Sequence, residues 1–371
     1  MKTMKKKVLA LLLCGAMATS MLAGCGSQSA STTTSETPAA STDVAETPAA
    51  SAEAETDTTA ADGCPGVEGL NIGVCIYKFD DNFMTLYRTE LERYLTAGGA
   101  TVTVMDGKND QAEQTNQVQN FITAGVDVLI VNLVQSTAAE NITELCSKAG
   151  IPVVYINREP DDTEKERWTT EGIKATYVGA DARQSGTYQG EIVLSLADKG
   201  DINGDGKVSY VMVEGDPENV DAQYRTQYSI QALTDGGMEV EELDDQRGDW
   251  DQAKGQEIVA NALTNYGDAV EVVFCNNDAM ALGAKQAIEA AGRTVGTDIY
   301  LLGVDALTDA LEGVINGTIT GTVFNDHISQ AQAAAEAAAS FAAGESLATL
   351  ISVDYVKVTQ DNAQEILDLL Q

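Results

Sequence analysis

Asp and Asn recur where apolar runs give way to polar ones. Asp80, Asp81 and Asn82 follow one such run. Asn132, then Asn157 with Arg158, Asp216, Asn276 with Asn277 and Asp278, Asp305, and Asn325 with Asp326 follow others. Helix N-capping favours the same residue types, because a short side-chain oxygen accepts from the free N–H groups of a first turn. Capping alone explains less well why so many of these ends carry a second amide or carboxylate. Carboxylates and amides make several hydrogen bonds each, and Arg158 and Arg225 each present a planar fork of donors. Phe83 and Trp250 add aromatic faces suited to the C–H face of a pyranose. The set suits a neutral polyhydroxylated ligand. It fits a phosphate poorly, because acceptor-only carboxylates repel an anion, and no Walker A or Gly-x-Gly-x-x-Gly turn follows the first apolar run. Paired carboxylates drawn from Asp81, Asp221 and Asp305 could flank a glycosidic bond. The rest of the chain points to capture rather than turnover, so no catalytic residue is assigned.

A second pattern reads Asp201-Ile202-Asn203-Gly204-Asp205-Gly206-Lys207-Val208-Ser209. Oxygens at the first, third and fifth positions, Gly at the sixth, a carbonyl at the seventh and a hydroxyl at the ninth match the opening of an EF-hand loop. The twelfth position is Met212, so a bidentate carboxylate must come from elsewhere. The segment runs into a strand, not a helix. A polar turn shares this composition, but the spacing favours a structural Ca2+. One His and six scattered Cys leave little for zinc. The single His, His327, reads as a solvated helix start.

These residues need a scaffold. The chain has 371 residues, two domains and extras at about 150 residues each. Its formal charge of −35 argues against nucleic acid, whose phosphates demand cations, and against docking on anionic lipid. From residue 70 onward strand and helix patterns alternate. Strands are expected at 70–77, 100–106, 126–132, 151–157, 175–179, 208–214, 239–243, 270–276, 300–304, 320–324 and 353–358. Helices are expected at 83–97, 111–124, 137–149 and 328–343, with an insertion at 161–174. Nearly continuous apolar strands with helical connections mean parallel sheets covered on both faces. So many strands exceed one comfortable sheet. The expected fold is therefore α/β, with two doubly wound lobes and ligand at the carboxyl ends of the strands.

The N-terminus reads as an address. Lys2, Lys5, Lys6 and Lys7 precede an apolar run ending in Leu22-Ala23-Gly24-Cys25. The run is short for a bilayer span and has the length of a secretory h-region. Small residues before the Cys resemble a bacterial lipobox, implying a signal peptide at 1–24 and lipidation of Cys25. Residues 27–62 are polar, with Glu-Thr-Pro-Ala-Ala-Ser twice, and cannot bury enough apolar surface to order themselves. The expected tether spans 25–69. Cys75, Cys146 and Cys275 read as core residues, and Cys64 as a linker thiol, free or paired.

Several segments together resemble the glucose/galactose-binding proteins of bacterial sugar transport, a type I solute-binding family. They are Tyr77-Lys78-Phe79-Asp80-Asp81-Asn82-Phe83-Met84, Ile156-Asn157-Arg158-Glu159-Pro160, Tyr177-Val178-Gly179-Ala180-Asp181, Asn276-Asn277-Asp278-Ala279-Met280, Gly303-Val304-Asp305-Ala306-Leu307 and Gly321-Thr322-Val323-Phe324-Asn325-Asp326. The resemblance implies two lobes joined by a three-segment hinge and closing on one hexose. The lobes would comprise 70–152 with 326–353, and 153–325 with 354–371. It implies Asp81, Asn132, Asp221, Arg225, Asn277, Asp305 and Asn325 as hydrogen-bonding residues, and Phe83 and Trp250 as stacking faces. It implies Glu271 as the missing carboxylate beside Asp201, Asn203, Asp205, Lys207 and Ser209. One position departs: Asn219 stands where the family has a His. No sugar contact should then titrate between about pH 6 and 8, the range a His would serve.

The function implied is a non-enzymatic, monomeric binding component. It would sit on the extracytoplasmic face of the cell membrane through its lipid alone, taking galactose and/or glucose to an ABC permease. The same module could instead serve a chemoreceptor or sensor kinase.

Overall fold

A computed structural model describes residues 63–371 of the chain; the signal segment, Cys25 and nearly all of the tether lie outside the described residues. Among the described residues twelve strands run in chain order as β1 (Asn71–Ile76), β2 (Thr101–Asp106), β3 (Val128–Val131), β4 (Val153–Ile156), β5 (Ala175–Gly179), β6 (Lys207–Glu214), β7 (Glu239–Arg247), β8 (Val272–Cys275), β9 (Tyr300–Leu302), β10 (Thr322–Phe324), β11 (Leu350–Ser352) and β12 (Val356–Val358). The helices are α1 (Asn82–Ala97), α2 (Gln111–Ala124), α3 (Ala139–Ala149), α4 (Asp162–Glu171), α5 (Ala182–Leu194), α6 (Val220–Asp235), α7 (Gln252–Tyr266), α8 (Asp278–Ala290), α9 (Thr308–Ile315), α10 (His327–Ala342) and α11 (Ala363–Leu369).

The strands form two sheets. The first is parallel throughout, in the order β11-β5-β4-β3-β1-β2. The second is β7-β6-β8-β9, extended by parallel bridges Leu302 to Gly321 and Asp305 to Phe324 onto β10, against which β12 runs antiparallel. In each sheet the strand order reverses beside the first strand, at β1/β3 and at β6/β8, which opens a crevice at the strand ends.

Period-two alternation explains why these strands read as continuous apolar runs. Ile72, Val74 and Ile76 face a core under α1 and α10, while Cys75, Leu129 and Val131 face a second core with Val118, Ile142 and Trp168. In the other lobe Val211, Val213, Val273 and Cys275 face one side, and Val208, Tyr210, Met212 and Phe274 the other. Strands buried on both faces need apolar residues at every position.

Four expectations change. Strands β4 and β5 hydrogen-bond within the first sheet, so the lobe boundary placed at 152/153 moves past Gly179; parallel pairing, not the break in pattern, decides membership. The supposed insertion at 161–174 contains α4, the crossover helix from β4 to β5. The final strand is two, one in each sheet, with the chain crossing between them at 353–355. The folded body begins before residue 70. Cys64 and Val67 are buried, and the Cys64 N–H donates to the Tyr94 carbonyl at 2.9 Å. Cys64 is therefore a packed free thiol, as are Cys75, Cys146 and Cys275. The chain crosses between sheets after β5, between β10 and α10, and between β11 and β12.

Candidate ligand-binding site

The first lobe contributes the turn after β1. Asp81 caps α1: its Oδ1 accepts from the Met84 N–H at 2.7 Å and its Oδ2 from the Tyr77 hydroxyl at 2.6 Å. Each oxygen keeps a further lone pair. Phe83 is buried, edge-on to Tyr87 at 6.2 Å and to His327 at 6.4 Å. His327 is thus packed rather than solvated, and burial lowers its pKa below the usual imidazole range. Arg158, just past β4, is buried; its Nη1 donates to the Val134 carbonyl at 2.6 Å and its guanidinium stacks 3.7 Å from the Tyr77 ring centroid.

The second lobe contributes more charge. Asn219 caps α6 by accepting from the Asp221 N–H at 3.1 Å. Asp221 and Arg225 follow one helical turn apart, on one face. Helix α6 comes close because α5 presents Gly186: a Cβ there would lie 2.7 Å from the Arg225 carbonyl. Arg225 Nη1 donates to the Asn276 carbonyl at 2.7 Å and Nη2 to the Tyr355 hydroxyl at 3.0 Å. Its Nη1 lies 3.9 Å from Asp305 Oδ1. Asn277 caps α8 by accepting from the Met280 N–H at 3.0 Å. Asp305 follows β9 at φ +116°, and Trp250 follows β7 at φ +66°. The Trp250 ring lies against Gly215, where a Cβ would come within 2.1 Å of it.

These parts line one cavity. Tyr77, Asp81, Phe83, Met84, Asn157 and Arg158 come from one lobe; Asn219, Asp221, Arg225, Trp250, Asn277 and Asp305 come from the other. The space among them is about 330 Å³, open solvent included.

Asn132 and Asn325, expected as sugar contacts, are not among the lining residues. Asn132 braces the turn behind it, accepting from the Tyr77 N–H at 3.2 Å and donating to the Ile156 carbonyl at 3.1 Å and to Asn157 Oδ1 at 3.0 Å. Asn325 donates to Asp305 Oδ1 at 3.3 Å and accepts from Gln330 at 2.6 Å. Both amides are engaged with protein neighbours. Conversely, Tyr77, Met84, Asn157 and Arg158 join the lining. Asn157 and Arg158 carried the strand-end signal; Tyr77 and Met84 carried no signal beyond their place around Asp81.

Burial dominates the electrostatics. It pushes both Asp221 and Asp305 up to about 7, against the lowering pull of Arg225; Glu159 adds to the rise at Asp221 and Asp81 to that at Asp305. The expectation that no sugar contact titrates between about pH 6 and 8 therefore fails for these two. Burial alone would lower the Arg225 pKa, but Tyr355, Asp305 and Asp221 hold it above the ordinary guanidinium value. Two buried donors of the site, Arg225 Nε and Trp250 Nε1, have no hydrogen-bond partner among the described residues.

None of the residues of the 201–209 loop lines this cavity. Asp201 Oδ1 accepts from the Gly204 and Asp205 N–H groups at 2.8 and 3.0 Å, and Oδ2 from Gly206 at 3.0 Å. Asn203 and Asp205 accept likewise from Asp205 and Lys207. Glu271, buried just before β8, reaches this loop: its Oε1 and Oε2 accept from the Asn203 and Ser209 N–H groups, each at 2.9 Å. No group of three or more His, Cys, Asp or Glu side chains among the described residues forms a metal cluster by itself. The available donor set is all oxygen, and includes an amide, a carbonyl and a hydroxyl.

A periplasmic binding protein domain model matches residues 72–346. The D-galactose/methyl-galactoside binding periplasmic protein of Haemophilus influenzae is 36% identical over 243 residues, 64% of this chain and 71% of the relative. A putative rhizopine-binding protein of Rhizobium meliloti is 36% identical over 240 residues, 64% of this chain and 73% of that one. Among solved structures, an ABC transporter solute-binding protein from Bacillus halodurans with bound myo-inositol superposes with a TM-score of 0.70 at 29% identity. It covers 84% of this chain and 99% of its own. Among the described residues, no helix is long and apolar enough to cross a membrane. Two doubly wound sheets, a cavity between their strand ends and these matches agree: the chain belongs to the type I periplasmic binding proteins, the sugar-binding components of ABC transporters, and is not an enzyme.

Proposed function

We propose that the chain captures an aldohexose, galactose and/or glucose, and delivers it to an ABC permease from a lipid anchor at Cys25 on the extracytoplasmic face. The observation that carries the ligand class is the pair of buried, unpartnered N–H donors, Arg225 Nε and Trp250 Nε1. They belong to a cavity that also holds Asp81, Asp221, Asn277 and Asp305. Buried donors normally find acceptors, and a sugar supplies acceptors to the first group and donors to the second. Phe83 and Trp250, one from each lobe, would cover the two apolar faces of the ring. Closure of the lobes on the sugar would create the shape that a permease recognises.

The myo-inositol bound by the Bacillus halodurans protein supports a second ligand, a cyclitol, which shares the hexose's ring of hydroxyls. Calorimetry with galactose, glucose, ribose, allose and myo-inositol separates these readings. Saturable one-to-one binding of galactose or glucose, at least about tenfold tighter than the others, a gap of about 1.4 kcal/mol, supports the hexose. Tight ribose or inositol binding with no heat from either hexose overturns it.

The loop at 201–209 suits a structural Ca2+ held by Asp201, Asn203, Asp205, the Lys207 carbonyl, Ser209 and Glu271. Hard cations take carboxylate, amide and carbonyl oxygens, and Glu271 is the carboxylate the loop itself lacks. The ion would tie the loop to the strand beside β6.

A further inference from the structure

We infer that Tyr355, which lies outside the cavity lining, is the positioning residue for Arg225 and couples the hinge to the bound ligand; this rests on the sugar-binding reading above. Tyr355 ends the third crossover, between β11 of one sheet and β12 of the other. Its backbone N–H donates to Gln184 Oε1 at 2.7 Å, which pins the crossover to α5. Its side chain is buried, and its hydroxyl accepts from Arg225 Nη2 at 3.0 Å. A planar guanidinium needs two anchors to fix its plane. The Asn276 carbonyl on Nη1 is the first, at 2.7 Å, and Tyr355 is the second. With both terminal nitrogens engaged, Nε is the nitrogen left without a protein partner. The ring also stands 6.0 Å from the guanidinium carbon. A shift of the crossover during lobe opening would carry the hydroxyl, and the guanidinium bonded to it, away from the ligand-facing position.

Tyr355→Phe removes only the hydroxyl and leaves the ring to pack. Hydrogen bonds to charged groups are among the stronger ones, so hexose affinity should fall about tenfold, through faster dissociation. In unliganded protein, exchange of the Arg225 Nε proton, followed by nitrogen NMR, should accelerate severalfold. Affinity within about twofold of wild type, or unchanged Nε exchange, overturns the inference, even if the melting temperature drops; Tyr355 would then merely pack the crossover. If wild type binds no hexose, the proposed function fails, and the sugar-free exchange comparison alone decides the role of Tyr355.

Discussion

Arg225 Nη1 stands 3.9 Å from Asp305 Oδ1, with both side chains almost wholly buried. The cation comes from α6 and the acid from the turn after β9, so the site brings opposite charges together away from water. Removing one member of such a pair leaves the other uncompensated.

Asp305→Ala should therefore weaken hexose binding at least several-fold, a lost buried hydrogen-bond partner costing about 1–3 kcal/mol. Asn277→Ala should weaken it similarly and also lower the melting temperature, because the same amide caps α8. Titration calorimetry and a thermal melt on each variant check both statements. An Asp305→Ala affinity equal to wild type would remove Asp305 from the site.

Asp221 and Asp305 set the pH response. Their folded-state values, about 7, lie above the ordinary carboxylate range. The unliganded fold then holds protons the unfolded chain has released. Their contribution to stability is full below about pH 4 and falls as pH rises through about 7. Sugar hydroxyls donating to these carboxylates favour the ionised form, so binding should release protons and tighten from about pH 6 to 8. Calorimetry in buffers of different ionisation enthalpy measures the released protons. Asp305→Asn should reduce that release; a proton count of zero in wild type contradicts the argument.

Calcium removal should act on stability and spare affinity. A ligand bound only by the native state raises apparent stability by mass action. Chelator should lower the melting temperature, and Glu271→Gln should make the chain insensitive to it, while hexose affinity stays nearly constant. A melt that neither chelator nor added Ca2+ moves would reduce the loop to a polar turn.

Fluorescence should separate the two tryptophans. Trp168 is buried in the first lobe, stacked on Tyr155 at 5.4 Å, whereas Trp250 lines the cavity. Hexose should shift the emission of wild type, and Trp250→Phe should abolish that shift. A shift that survives the substitution would locate the ligand elsewhere.

Asn219→His should keep binding but add a pH dependence near the imidazole's ordinary value of about 6.5. It should also destabilise the fold by about 0.5–2 kcal/mol, because His caps α6 less well than Asn. Binding isotherms across pH, beside denaturant unfolding, check both effects.

Much of this was legible in the residues. Apolar runs such as Val128–Val131 announce doubly buried parallel strands, and Gln111–Ala124 shows its helix to the residue through Asp110 before it and Gly125 after it. The Asp and Asn at strand ends marked the site. What the pattern could not carry was direction. Asn132 and Asn325 have the right type and place, yet turn their amides to backbone and neighbours. Asn157 and Arg158 carried the same mark, Arg158 as a candidate donor, but the resemblance assigned neither a sugar contact. Sheet membership of β4 and β5 depends on pairing partners far along the chain, which local periodicity does not encode. The upward shifts at Asp221 and Asp305 arise from burial in the folded structure, which local pattern does not encode.

Asp81 and Asn277 each spend a side-chain oxygen on the first turn of their own helix while facing the cavity. Recognition and helix nucleation therefore draw on the same atoms. A lineage drifting toward a different sugar cannot sample all side chains at these positions, since most would fray a helix end before they could be tested for binding. Its workable alphabet shrinks to Asp, Asn, Ser, Thr and Gly. Change of specificity is channelled toward residues free of that double duty, such as Met84 and Arg158.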